Sequence, residues 1–199
     1  MKKAYRKICF TGIVLAVLLA GCGGENGTDA ADRGGDSSAQ ETAELLTEED
    51  GSETSRIVFE CQDMEGNTVS ASVFTQSKLT MVNVWATYCN PCLSEMPGLG
   101  ELAGEYEPDE FQIIGIISDV QEGGDAAALD NAAALIEQTG ADYTHLLLNE
   151  SVYYALLTDV AAVPTTFFVD ENGVVMDTVI GAMEKSAWEE KINALLEES

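Results

Sequence analysis

From residue 57 onward the apolar positions fall into two alternating kinds of pattern. Ile57–Cys61 and Thr68–Val73 alternate apolar and polar residues around a turn at Gly66-Asn67, which predicts a β-hairpin. Leu79–Ala86 and Phe111–Ser118 are nearly continuous apolar runs of the length expected for buried parallel strands. Between them Leu93, Met96, Leu99, Leu102, Ala103 and Tyr106 recur at helical spacing, with Pro108 past the end. Ala126–Gln138 predicts a second helix, with Leu129, Ala133, Leu135 and Ile136 on its apolar face and Gly140 as its stop. A short strand over Tyr143–Leu148 and a short helix over Ser151–Leu157 follow. Thr165–Val169 and Val174–Val179 flank Asp170–Gly173 as a second hairpin, and an amphipathic helix over Lys185–Glu197 buries Trp188, Ile192 and Leu195. A strand, a helix and a further strand imply a parallel crossover, and the late hairpin adds antiparallel strands. The expectation is an α/β domain: a mixed central β-sheet with helices on both faces and an N-terminal β-hairpin extension.

The first 55 residues follow neither pattern. Lys2, Lys3, Arg6 and Lys7 precede an apolar stretch from Ile8 to Ala20, which is short for a membrane span and fits a secretory leader over residues 1–21. Leu19-Ala20-Gly21-Cys22 resembles a bacterial lipobox. That resemblance implies cleavage before Cys22 and a lipid on its sulfur; a plain signal peptide and a single-pass anchor are the alternatives. Residues 22–55 are rich in Gly, Ser, Thr, Asp and Glu, and too poor in apolar surface to offset ordering entropy. They read as an acidic tether, leaving residues 56–199 as the folded domain. The 199-residue chain has a formal charge of −26, and without the N-terminal basic cluster the balance is −30. Such a surface repels nucleic acid and anionic headgroups, and leaves open a preference for cationic partners.

Against this background Cys89-Asn90-Pro91-Cys92 stands where a strand gives way to a helix. Structural zinc needs four ligands, and beyond this pair and Cys22 the mature chain offers only Cys61 and His145. A disulfide across so small a loop removes little entropy from the unfolded chain, so a purely structural bridge fits poorly. At a helix N-terminus the free N–H groups and the macrodipole favour a thiolate, and Pro91 suits the first turn. Cys89 is therefore expected as the nucleophile and Cys92 as the resolving thiol. Cys61, beside Phe59 in a strand, is expected as a small buried hydrophobe, and His145 as an edge or surface residue.

Three separated motifs carry a family resemblance: WATYCNPCLSEMP at 85–97, VPTTFFVDENG at 163–173 and DMEGNTVS at 63–70. Together they resemble the TlpA/ResA-type thioredoxin-like proteins from about residue 57 to the C-terminus. The resemblance implies a thioredoxin-like fold, and a cis peptide at Val163-Pro164 packed against the disulfide. An ordinary trans proline at a strand start is the reading from the residues alone. It further implies that Trp85, Tyr88 and Val163 meet the substrate. Glu95 would tune the thiols or transfer a proton, and is otherwise a solvated helix carboxylate. Asn83 falls where cytoplasmic thioredoxins carry a buried carboxylate, and an amide there cannot shuttle a proton. Tyr88 departs from the family, which usually has Trp before the first cysteine.

The function so implied is a lipid-anchored, extracytoplasmic thiol–disulfide oxidoreductase of the bacterial cell membrane. It would reduce exported proteins such as apocytochrome c or a surface methionine sulfoxide reductase, with electrons from a CcdA/DsbD-type membrane thiol transporter. The chain would work as a monomer, without cofactor, metal or nucleic acid. Three alternatives stand beside it: an oxidant that introduces disulfides, a peroxiredoxin-like peroxidase, and a non-catalytic binding lipoprotein. A peroxidatic cysteine usually has Thr or Ser three positions earlier, and here that position is Ala86.

Overall fold

The computed structural model describes residues 56–198, and the leader, Cys22 and the tether lie outside them. Strand β1 (Glu60–Gln62) pairs antiparallel with β2 (Thr68–Ser70). The turn between them is organised by Asp63, whose Oδ1 accepts from the N–H groups of Glu65 (3.0 Å) and Asn67 (2.8 Å). The second strand is shorter than its alternation predicts. Ser70 caps a 3-10 segment over Ala71–Gln76 by accepting from the Ser72 N–H, and that segment turns Phe74 into the core.

The main sheet has five strands: β3 (Leu79–Trp85), β4 (Phe111–Gln121), β5 (Thr144–Leu148), β6 (Thr165–Asp170) and β7 (Val175–Ile180). Their order is β5-β4-β3-β6-β7, with β3, β4 and β5 parallel and β6 and β7 antiparallel to their neighbours. Four helices complete the domain: α1 (Asn90–Ala103), α2 (Ala126–Thr139), α3 (Glu150–Val152) and α4 (Lys185–Glu198). All seven residues of β3 are buried, as its unbroken apolar run requires of a central strand. Gly140 ends α2 in the left-handed conformation (φ 64°), where glycine has no side chain to clash. Pro97 lies inside α1 without ending it, because Met96, Leu99 and Leu102 are locked into the core on either side.

The helices are distributed less evenly than expected. The chain steps from β3 to β4 to β5 in one direction, so two right-handed crossovers place α1 and α2 on the same face. There α4 joins α1 through Trp188, Ile192 and Leu195, packed with Met81, Leu99 and Phe168. The opposite face is covered by Ile57, Phe59, Cys61 and Phe74 from the N-terminal region and by Val152, Leu156 and Leu157. The predicted helix over 151–157 is one α-turn followed by a π-turn over Tyr153–Leu157.

Candidate active site

Strand β3 ends at Trp85, and the four residues after it form a loop tied back to β4. Ser118 Oγ donates to the Trp85 carbonyl (2.9 Å). Asp119 accepts from the Thr87 N–H through both carboxylate oxygens (3.0 and 3.2 Å) and from the Thr87 hydroxyl (2.5 Å). The Cys89 N–H donates to the Ala86 carbonyl (3.0 Å), closing a turn that presents Cys89 as the N-cap of α1. Neither Thr87 nor Asp119 stood out in the sequence, since single polar residues at strand ends have no periodic signature.

Cys89 and Cys92 form a disulfide with Cα atoms 5.3 Å apart. Cys89 Sγ accepts from the Cys92 N–H (3.2 Å), an otherwise unpaired donor of the first helical turn. The same bond and the helix dipole would stabilise a thiolate at this atom after reduction. The sulfurs are unequal in access: Cys89 is 6% exposed and Cys92 is fully buried. The Val163-Pro164 peptide is cis, and the Val163 carbonyl oxygen lies 3.6 Å from Cys89 Sγ. Tyr88, 74% exposed, stands beside the pair. Trp85 does not. Its ring is fully buried behind the loop, so the substrate contact expected of it is not available in this state.

Glu95 is neither solvated nor paired with a described cation. It is buried, its Oε1 accepting from Asn83 Nδ2 (3.0 Å) and its Oε2 from the Met183 N–H (3.1 Å) and Trp188 Nε1 (3.2 Å). Burial raises its pKa, and the three donors only partly counter that effect. Asn83 Nδ2 also donates to Thr166 Oγ1 (3.0 Å), while Asn83 Oδ1 and Tyr143 Oη are buried without a described partner. Burial pushes the Tyr143 phenol upward, and the charge of Glu95 adds to the shift.

His145 corrects the edge or surface expectation, since it is 2% exposed. Its Nδ1 accepts from Trp85 Nε1 (3.1 Å), which leaves Nε2 as the protonated nitrogen donating to the Ala141 carbonyl (2.8 Å). Burial lowers its pKa to about 4, against opposing contributions from the Ala141 carbonyl and Asp142. The ring fits only because residue 115 is glycine: a Cβ there would lie 2.2 Å from His145 Nδ1. Strand register sets His145, Gly115, Asn83 and Thr166 in one row across four strands, on the face that carries Glu95. The result is a polar seam under the helix that bears the cysteines. Among the described residues no group of His, Cys, Asp and Glu is arranged to hold a metal, and no helix is long and apolar enough to cross a membrane.

Comparison with known proteins agrees with this geometry. Over 118 residues the chain is 29% identical to the thioredoxin-like protein YneN of Bacillus subtilis, covering 59% of this chain and 65% of that protein. It is 28% identical to the thiol:disulfide interchange protein DsbE of Escherichia coli (70% and 69% covered). The thiol-disulfide oxidoreductase ResA of Oceanobacillus iheyensis is 27% identical (66% and 64%). The matches thus span about two thirds of the length of these curated relatives. Among solved structures, a thioredoxin-family thiol:disulfide interchange protein of Chlorobium tepidum superposes with TM-score 0.60 at 23% identity, covering 71% of this chain and 94% of that one. The exposed lipoprotein thioredoxin Etrx1 of Streptococcus pneumoniae superposes with TM-score 0.53 at 25% identity (69% and 98%). The thioredoxin-like fold, the cysteine pair at a helix N-terminus and a family match over residues 55–178 lead to one conclusion: the chain belongs to the AhpC/TSA family.

Proposed function

We propose that the protein is an extracytoplasmic, membrane-tethered thiol–disulfide oxidoreductase that reduces disulfides in exported proteins. The observation that carries the exchange chemistry is the asymmetry of the pair. Cys89 Sγ is the accessible sulfur and is held by a helix N–H, while Cys92 is sealed beneath it. In the reduced protein the Cys89 thiolate attacks one sulfur of a client disulfide. A bond forms between Cys89 and that sulfur, and the other client sulfur leaves as a thiolate and takes up a proton. Cys92, losing its own proton, then attacks Cys89 Sγ and releases the second client thiolate. Two electrons pass to the client and the Cys89–Cys92 disulfide is formed.

Glu95 lies one helical turn from Cys92 and is raised in pKa by burial, so it is the group we assign to take up the Cys92 proton. Asn83 and Thr166 position that carboxylate. Val163, beside the cis proline, offers backbone to an extended client chain next to the reacting sulfur. Cys22 would hold the domain on the extracytoplasmic side of the bacterial cell membrane through a lipid, a reading supported by the lipobox pattern and by the lipoprotein named among the structural relatives. Relatives named as a thiol:disulfide interchange protein and a thiol-disulfide oxidoreductase support a disulfide-bearing protein as client. The motif resemblance narrows the client to apocytochrome c or a surface methionine sulfoxide reductase, and the electron donor to a CcdA/DsbD-type membrane thiol transporter.

The test is a Cys92→Ser variant, which retains the nucleophile and cannot resolve the mixed disulfide. It should accumulate covalent adducts at Cys89 with exported proteins, and a Cys89→Ser variant should not. Absence of any adduct overturns the reading. Direction is set by the reduction potential: a reductant should lie well below about −180 mV, and a value near the −120 mV of a strong oxidant would reverse the assignment.

A further inference from the structure

Large apolar side chains left exposed in the domain are few, and three are tyrosines on one side of the disulfide: Tyr88 (74% exposed), Tyr153 (46%) and Tyr154 (70%). They line two grooves that adjoin at Leu148 and Tyr153. The nearer groove, about 240 Å³, runs from Tyr88 along Val160–Val163, the segment whose carbonyl touches Cys89. The farther one, about 580 Å³, runs past Glu122 and Glu150 to Tyr154. The π-turn over Tyr153–Leu157 forms part of this wall, and its widened backbone carries both tyrosines with their rings in edge contact (centroids 5.3 Å apart).

The charge along this trough has one sign. Glu122 and Glu150 lie in its wall, Asp119 holds the loop that presents Tyr88, and Asp159 is exposed next to Val160. None of the basic side chains of the described residues reaches it. Lys185 is paired with Glu101 and Glu105, Lys191 with Asp177, Lys78 lines a different groove, and Arg56 belongs to neither wall. Tyrosine faces attract ammonium and guanidinium groups, and carboxylates beside them strengthen the attraction.

We propose that the trough from Tyr88 to Tyr154 is a docking site for an extended, cationic polypeptide segment that flanks the reacting cysteine of the client. The proposal rests on the exchange reading above and adds what the site selects. A client cysteine at Cys89 would lie at one end of the trough. The lysine or arginine side chains beside it would then rest on the tyrosine rings within reach of Glu122 and Glu150.

The experiment uses the reduced full-length protein and peptides that carry one cysteine as a mixed disulfide, identical except that the flanking positions are Lys, Ser or Glu. At about 20 mM salt the Lys peptide should react about 10-fold faster than the Ser peptide and the Glu peptide slowest. At about 0.5 M salt the spread should shrink below about 3-fold. Combining Glu122→Gln with Glu150→Gln should remove most of the low-salt preference, and Tyr154→Ala should slow the Lys peptide alone by about 2- to 5-fold. Glu189→Gln with Glu190→Gln, an equal charge change on the exposed side of α4, should leave the preference intact. An equal loss in that remote pair assigns the preference to net charge and overturns the trough. So does an absence of charge preference while the neutral hydroxyethyl disulfide is still reduced. If hydroxyethyl disulfide does not react, the exchange reading fails by itself. The trough is then judged by binding of the Lys peptide, its cysteine replaced by serine, to the Cys89→Ser/Cys92→Ser protein, where no binding overturns it.

Discussion

Replacing Glu95 separates two roles that burial has combined in one side chain. All three of its partners donate: Asn83 Nδ2, the Met183 N–H and Trp188 Nε1. In Glu95→Gln the amide oxygen can keep Met183 and Trp188, while the new NH2 group faces Asn83. Rotation of the Asn83 amide then turns Oδ1, now without a described partner, toward it, and Thr166 can donate from its hydroxyl. The substitution removes a buried charge, and it leaves the flipped Asn83 Nδ2 on the side where Oδ1 has no described partner, as protonation of Glu95 itself would. In Glu95→Ala, Asn83 keeps Thr166, but Met183 and Trp188 lose their acceptor and a cavity opens. The cost is about 3–5 kcal/mol. The pH dependence has a definite sign. Burial raises the folded pKa of Glu95, so its contribution to stability is complete below the unfolded value of about 4.3 and is lost as pH rises through the folded value. Each unit of that rise corresponds to about 1.4 kcal/mol. Glutamine does not titrate. Glu95→Gln should thus match the parent near about pH 4 and exceed it in stability at about pH 8, while alanine is weaker at both. The assay is denaturant unfolding of the oxidised proteins, which holds the cysteine state constant. A glutamine variant as unstable as alanine, or one whose difference from the parent does not change with pH, refutes the buried-acid reading.

The remaining predictions concern the seam and the third thiol. Gly115→Ala should cost about 3 kcal/mol or more in thermal or denaturant unfolding, because its Cβ would lie 2.2 Å from His145 Nδ1 and displace the ring from Trp85 and Ala141. His145 has a folded pKa lowered to about 4, so the stability it contributes is present above about 6.5 and is lost as pH falls toward the folded value. His145→Phe should remove that acid-side loss, which is at most about 1.4 kcal/mol per pH unit, and a stability difference unchanged between about pH 7.5 and pH 5 would contradict it. Burial, with Glu122, Asp63 and Glu60 adding to it, pushes the Cys61 thiol up to about 12. At about pH 8 roughly one molecule in ten thousand carries that thiolate, so mass mapping after iodoacetamide treatment of the reduced native protein should find Cys89 alkylated and Cys61 untouched. Rapid labelling of Cys61 in the folded protein would show that its pocket opens.

What the sequence makes legible divides along a physical line. Runs and alternations are local, and they place every long strand and helix to within a few residues: β3 and β4 by apolar continuity, α1, α2 and α4 by helical spacing. The cysteine pair is legible for the same reason, because four consecutive residues bring cap, proline and both thiols together a few residues past the end of β3. The seam is not. His145, Gly115, Asn83 and Thr166 are far apart in the chain and meet only through the register of four strands, so His145 reads as an edge residue before the fold is known. Glu95 is half legible: its spacing from Cys92 follows from the helix, but its burial depends on Trp188 and Met183 arriving from the far end of the domain. Trp85 shows the opposite failure, since the family resemblance implied a substrate contact whereas a buried indole N–H needs an acceptor, which His145 provides. The helix that carries the redox pair thus rests on polar groups whose hydrogen bonds, apart from the local His145–Ala141 contact, join residues distant in the chain. A change of one residue in the seam should reach the sulfurs through packing and charge even where it touches neither. Tyr153 and Tyr154, by contrast, are exposed on the π-turn and take no part in the seam's hydrogen bonds. Separating a fixed chemistry behind the disulfide from an adjustable surface in front of it allows client preference to be tested independently of redox chemistry.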